Sequence, residues 1–488
     1  MKGFPTWPKA EIFNFCWRKY GLAPFCHYNS THALFVMPLF RHICGSISED
    51  TKNRVGPIVP GLNQYYRFEM KEYRNEMKIK FFSIFMTMAA LFAVAAQSSP
   101  VLSEAAAPQV IIGSGTAASC QTQDAANDLS NAVATGGVID FDCGSDPVTI
   151  IVNTNATDQQ VTVNGNGLIH LSGEDLRQIF FVYGSGNVIL NDLSLDDGNS
   201  GQGGAVYIDS QASVTINRSF LVSNNAASEG GGVYNKGTLI IEDSTIGSNI
   251  AGTNGGGIFN DGGSVTILKS YLISNQSNNG GAVYTVNGQL TIEQSAVRSS
   301  FITNDGGGIY AAGDTAISNS TFSNNRAAQG GAIFGAGNVT ILNATFNENR
   351  ADIAGAIWRE ILSTITVKNT ILAGSLDSGG NSPNLNCDGP SLTSLGQNII
   401  SDNTCVPNPS IVGDLLGTNP LLGVWQISPL RAYIPDADSP AVDYGLDCPP
   451  VDQRGYPRPI GAACDVGSIE RGEPDEPGKM VFLPLALR

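Results

Sequence analysis

Three aspartates within six residues, Asp192, Asp196 and Asp197, are the first groups whose type and spacing suggest chemistry. Glycoside hydrolysis needs two carboxylates facing one groove. Asp196-Asp197, with Asp192 just upstream, is the best local candidate. β-Elimination needs a base able to take a proton beside a charge-neutralising cation. No Gly-His-Gly follows the aspartates, and Lys236, Lys269 and Lys368 stand singly. Asp196-Asp197-Gly198-Asn199 therefore reads first as a solvated turn. A calcium site of oxygen ligands is a further reading, without the nonapeptide calcium pattern. No catalytic set is assigned and no cofactor is expected.

A second candidate set is aromatic: Tyr207, Tyr234, Phe259, Tyr284, Tyr310, Phe334 and Trp358. Each follows Gly, then Gly or Ala, then Val or Ile, as in Gly231-Gly232-Val233-Tyr234. The motif returns after 27, 25, 25, 26, 24 and 24 residues. Such a period marks a solenoid. If the preceding Val or Ile faces inward, alternation puts the aromatics outside. Two readings stay open there: a stripe on which sugar rings of a glycan or cell-wall polymer stack, or a stack that only stabilises the rod.

Between the aromatic motifs lie alternating runs such as Val214-Thr215-Ile216 and Val265-Thr266-Ile267, which read as strands with one buried face. A third run ends in Asn three residues after an apolar residue: Leu221 with Asn224, Ile246 with Asn249, Leu272 with Asn275, Phe322 with Asn325, Phe346 with Asn349. Val297 with Ser300 breaks the pattern. About three short strands per 25 residues predict an all-β fold, a right-handed single-stranded parallel β-helix of about ten coils. Like residues should stack on like. The Asn column should serve backbone groups at a corner, and the paired glycines should supply positive φ and close approach.

The ends differ from the middle. Met77-Lys78-Ile79-Lys80, the apolar run to Val94 and Ala93-Val94-Ala95 make a secretory signal peptide over 77–95. Residues 1–76 read as an over-extended start; the alternative is a cytoplasmic tail before a signal anchor. The stretch 1–95 holds 12 of the 27 basic and 6 of the 43 acidic residues, so the remainder carries a net charge of −22. That charge repels nucleic acid and anionic lipid and fits a secreted or cell-surface rod, without an integral membrane span in the mature chain. Six cysteines remain: Cys120, Cys143, Cys387, Cys405, Cys448 and Cys464. In an exported chain they read as disulfides, with local pairing 120–143, 387–405 and 448–464 preferred among the alternatives; zinc is the weaker reading, with His170 as the one histidine after residue 95. Thr122 to Thr135 is an amphipathic helical stretch, expected to cap the stack against a first strand Val138-Ile139-Asp140-Phe141. The organisation expected is an N-terminal cap with first strand over 108–146, repeats over 147–375, a disulfide-rich C-terminal cap over 376–471, and a linker with an apolar tail over 472–488. The tail reads as a sorting tag, an edge strand or a frayed end.

Gly330-Gly331-Ala332-Ile333 and Phe346-Asn347-Glu348-Asn349 resemble the GGA[ILV] and FxxN pairs of polymorphic outer membrane protein repeats. Ser394-Leu395-Gly396-Gln397-Asn398, Asn419-Pro420-Leu421-Leu422, Ser439-Pro440-Ala441, Asp452-Gln453-Arg454-Gly455, Arg458-Pro459 and Cys464-Asp465-Val466-Gly467-Ser468-Ile469-Glu470 resemble the choice-of-anchor Q domain of bacterial secreted proteins. That family usually has a Gly-Gly-Pro and a His before the Ser-Pro-Ala segment; Val424 to Ser428 stand there instead. The resemblance implies a secreted or surface β-helix, often an adhesin; extracellular glycans as partners are the expectation of the aromatic stripe. The competing expectation is a polysaccharide lyase or hydrolase acting on polyuronides from the same fold.

Overall fold

The computed structural model describes residues 108–472, apart from 382, 408–412 and 428–430. The expected signal peptide, the stretch 1–76 and the tail beyond residue 472 lie outside these residues.

Alternating β-branched residues place one side chain in the lumen and the next outside, and each coil pairs in parallel with the coil before it. In one column Ile216 lies opposite Ile241, Ile241 opposite Ile267, Ile267 opposite Ile292 and Ile292 opposite Ile317. In another, Val206, Val233, Ile258, Val283, Ile309, Ile333 and Ile357 lie in register, all fully buried. Each such side chain contributes roughly 1.5–3 kcal/mol by leaving water, so repetition itself builds the core. The stack has about 12 turns, more than the ten expected.

Two differences from the expected coil have physical reasons. Seven coils carry a fourth short strand, from Asn199–Gln202 to Arg350–Ile353, forming a separate seven-stranded parallel sheet. Several of these strands are two residues long, such as Ile250–Ala251, too short for alternation to show. The left-handed glycine lies just before the Gly-(Gly/Ala)-(Val/Ile)-aromatic motif, as in Gly230 (φ +67°) and Gly330 (φ +63°), the latter being the first of the Gly330-Gly331 pair. The next glycine answers to close approach: a Cβ on Gly331 would sit 2.3 Å from the Gly355 carbonyl oxygen.

The asparagine corner is a buried ladder. Asn224 Nδ2 donates to Asn249 Oδ1, and Asn249 Nδ2 to Asn275 Oδ1, each at 3.0 Å. The same amides donate to the carbonyls of Leu195 and Leu221 in preceding strands. Groups that the corner would leave unpaired are thus satisfied coil to coil.

At the start, a helix over Gln123–Thr135 is N-capped by Thr122, whose hydroxyl accepts from the Ala125 amide at 3.0 Å. Leu129 and Val133 bury its apolar face over the first coils. The stack begins one strand earlier than expected: Gln109–Gly113 pairs with Gly137–Asp142. At the far end Cys387–Asp388, Thr393–Ser394 and Ile399–Ile400 continue the columns past residue 375. Disulfides join Cys120 to Cys143, Cys387 to Cys405 and Cys448 to Cys464.

The chain then returns across the outside of the stack. Gln294 Nε2 donates to the Asp452 carbonyl (3.0 Å), Thr321 Oγ1 to Gln453 Oε1 (2.6 Å), and Asn369 Nδ2 to the Leu446 carbonyl (2.9 Å). Among the described residues no helix is long and apolar enough to cross a membrane, which leaves β-barrels unaddressed.

Candidate functional site: the aromatic column and the acidic turn

The alternation that buries Val206 and Ile208 turns Tyr207 outward, and parallel register then sets each aromatic on the next. The rings stack with centroids 5.2 Å apart from Tyr207 to Tyr234, 5.3 Å to Phe259, 5.2 Å to Tyr284, 4.5 Å to Tyr310, 4.7 Å to Phe334 and 4.4 Å to Trp358. All seven expected residues lie in one column. An eighth, Phe181, stacks on Tyr207 at 5.0 Å. It escaped the motif because no glycine pair precedes it; the signal was the apolar Phe180 and Val182 on either side of it.

Stacking decides what the column can offer. Neighbouring rings cover the interior faces, so what reaches solvent is a line of edges and hydroxyls. Tyr234, Phe259 and Phe334 are buried, and Tyr207, Tyr284, Tyr310 and Trp358 are half-buried. Open ring faces for sugar stacking, one of the two expectations, are therefore not available within the column. The Tyr234 hydroxyl donates to Asp261 Oδ2 at 2.8 Å. Burial first, then that carboxylate, pushes its pKa above the usual phenol range. Burial likewise pushes Tyr310 up to about 12.

The three aspartates are drawn apart by different partners. Asp192 takes a two-pronged pair from Arg218 one coil on, with Nε at 2.8 Å and Nη2 at 2.6 Å. Asp196 accepts from Ser194 Oγ at 3.1 Å and meets His170 Nδ1 at 3.2 Å. The hydrogen bond to Asp196 raises the His170 pKa against the opposing effect of burial. Asp197 sits in the turn with φ +50°; burial, then the charges of Asp196 and Asp175, raise its pKa. A Cβ on Gly198 would lie 2.4 Å from the Gly204 carbonyl oxygen, which fixes glycine at this turn. His170 was missed as a partner, although its 26-residue distance from Asp196 is one coil period. Among the described residues no three His, Cys, Asp or Glu side chains converge as a metal site.

The polar residues of the C-terminal segment form a buried charge network. Arg454 Nε donates to Asp452 Oδ2 at 2.8 Å, and Arg458 donates to the carbonyls of Asp465 and Gly467 at 2.6 and 2.8 Å. Glu470 accepts from the amides of Ile460 and Asp465, both at 2.8 Å. Ser468 and Gln453 carry this network onto Thr345 and Thr321 of the stack. These side chains are spent on holding the segment against the coils.

Residues 319–336 match the model of the Chlamydia polymorphic membrane protein repeat. Among solved structures, the crystal structure of pectate lyase Pel9A is similar at 14% identity and a TM-score of 0.42, covering 71% of this chain and 90% of that one. No curated protein matches. The coil positions that the repeat model covers run from the corner Asn319 through Phe322 and Asn325 to Phe334.

Proposed function

We propose that the protein is an exported, surface-displayed β-helical rod with a structural or adhesive role, contacting glycans or cell-wall polymer through its outer side chains. One observation carries this reading: outward groups with chemical potential are committed to neighbours within the stack. Arg218 holds Asp192, His170 holds Asp196, and the aromatic faces cover one another. Three disulfides suit an oxidising compartment, and the similarity to a polymorphic membrane protein repeat suits display at a surface. On this reading the returning C-terminal segment is a choice-of-anchor Q-type cap whose polar residues clamp the last coils. Glycan contact then uses hydroxyls and ring edges in place of ring faces. Protease treatment of intact cells, followed by mass spectrometry of released peptides, tests the display. Peptides from the stack, with a mature start near Ala96, are expected; peptides from residues 1–76 in the exported protein, or none from the stack, would contradict it.

A second reading, polysaccharide cleavage, draws on the His170–Asp196 pair on the outer face, which would serve as its acid–base couple. On this reading His170→Ala abolishes any release of new sugar ends.

A further inference from the structure

We propose that Tyr284 and Tyr310 are a site of oxidative cross-linking, where a one-electron oxidant of the peroxide–peroxidase class joins two coils through a dityrosine bond. Three observations single out this pair. The residues lie directly opposite each other in parallel register. Their ring centroids are 4.5 Å apart and the planes are inclined by only 10°, the closest tyrosine–tyrosine contact in the column. Both residues are half-buried, so neither is sealed from solvent.

The other neighbouring tyrosine pair provides the contrast. Tyr207 and Tyr234 stand 5.2 Å apart. Tyr234 is only 3% exposed and its hydroxyl is held by Asp261. That ring has little freedom to tilt towards a bond.

The chemistry closes without a metal in the protein. Each phenol gives up one electron and one proton, and hydrogen peroxide takes both pairs to become two waters. The two phenoxyl radicals couple between ring carbons ortho to the oxygens, the Cε positions that each carry one hydrogen. The hydrogens on those carbons then move to the oxygens, restoring two phenols and leaving the pair lighter by two hydrogen atoms. Stacking with centroids 4.5 Å apart holds the two rings side by side beforehand, so little translational freedom is lost on the way to coupling. Both side chains point away from the lumen, because the neighbouring Val283 and Ile309 fill it, so a tilt does not disturb the lumen. The product staples neighbouring coils across 26 residues, which restricts the unfolded chain as a disulfide would.

Purified protein treated with a haem peroxidase and hydrogen peroxide provides the test, read by dityrosine fluorescence and by mass spectrometry of the digested monomer. A linked peptide pair carrying Tyr284 and Tyr310, lighter by two hydrogens, is expected. Tyr310→Phe and Tyr284→Phe keep a ring in the stack and should each abolish the signal while leaving the melting temperature of the untreated protein nearly unchanged. Undiminished fluorescence in both variants, links at Tyr207–Tyr234 to the same extent, or links only between molecules would overturn the proposal, as would no dityrosine in the wild-type monomer.

Discussion

Thr266 and Ile267 are chain neighbours that face opposite ways: Ile267 is fully buried in the lumen and Thr266 half-buried on the outside. Ile267→Asp is predicted to cost about 4 kcal/mol or more, because the lumen ladder offers a carboxylate neither water nor a partner. Thr266→Asp should stay within about 1 kcal/mol. Thermal melts of the two variants check this, and equal losses would contradict the strand phase. Asp465 supplies a pH test. Burial is the chief cause raising its pKa to about 6, against the amides of Asp443 and Arg471 that favour the carboxylate; Glu470 raises it further and Arg458 lowers it. A carboxyl raised on folding favours the protonated folded state. Its stabilisation is full below the unfolded value, about 4, and is lost as pH rises through about 6. Proteolysis of the C-terminal segment should accelerate between pH 4 and 7, and Asp465→Asn should flatten that dependence. The two residues also differ in how readable they were. Ile267 announced its burial through alternation, whereas the environment of Asp465 depends on Arg458, Glu470 and Arg471 converging in a segment with no repeat.

The ladders are where elements become testable. Ser300 occupies the corner that asparagine takes in the neighbouring coils, and its buried hydroxyl has no partner. Ser300→Asn should complete the run from Asn275 to Asn325 and stabilise the fold by about 1 kcal/mol, read as a higher denaturant midpoint. The aromatic column predicts the opposite sign. Changing Tyr234, Tyr284 and Tyr310 together to Ser should lower stability by several kcal/mol, since a buried large side chain contributes roughly 1.5–3 kcal/mol and the stacking contacts go with it. Unchanged melting would show that the rings are ornamental to the coils. Both columns were legible, because a fixed residue type at a fixed phase survives into the stack. The corner between the second and third strands was not. Arg218, Asp243, Lys269, Gln294 and Asn319 all adopt left-handed backbone there, with φ between 44° and 50°, yet they share no side-chain type. The coil geometry imposes that conformation where the local residues do not advertise it.

At the scale of the molecule, a rod built from stacked coils, pinned at its first turns by Cys120–Cys143 and in its C-terminal region by Cys387–Cys405 and Cys448–Cys464, was readable from period and cysteine spacing. The return of the C-terminal segment over Gln294, Thr321 and Asn369 was not, because contacts between residues more than 70 apart leave no local pattern. That return also bears on function: it covers part of the outer surface, while the His170–Asp196 side stays half exposed. We propose that this rod holds polymer without cutting it. The most direct measurement incubates the purified protein with a panel of glycans that includes polyuronides, scoring retention together with new reducing ends and unsaturated products. Retention of at least one polymer with no new ends is the predicted result. Unsaturated products or new reducing ends that disappear in His170→Ala would contradict it and make the rod an enzyme.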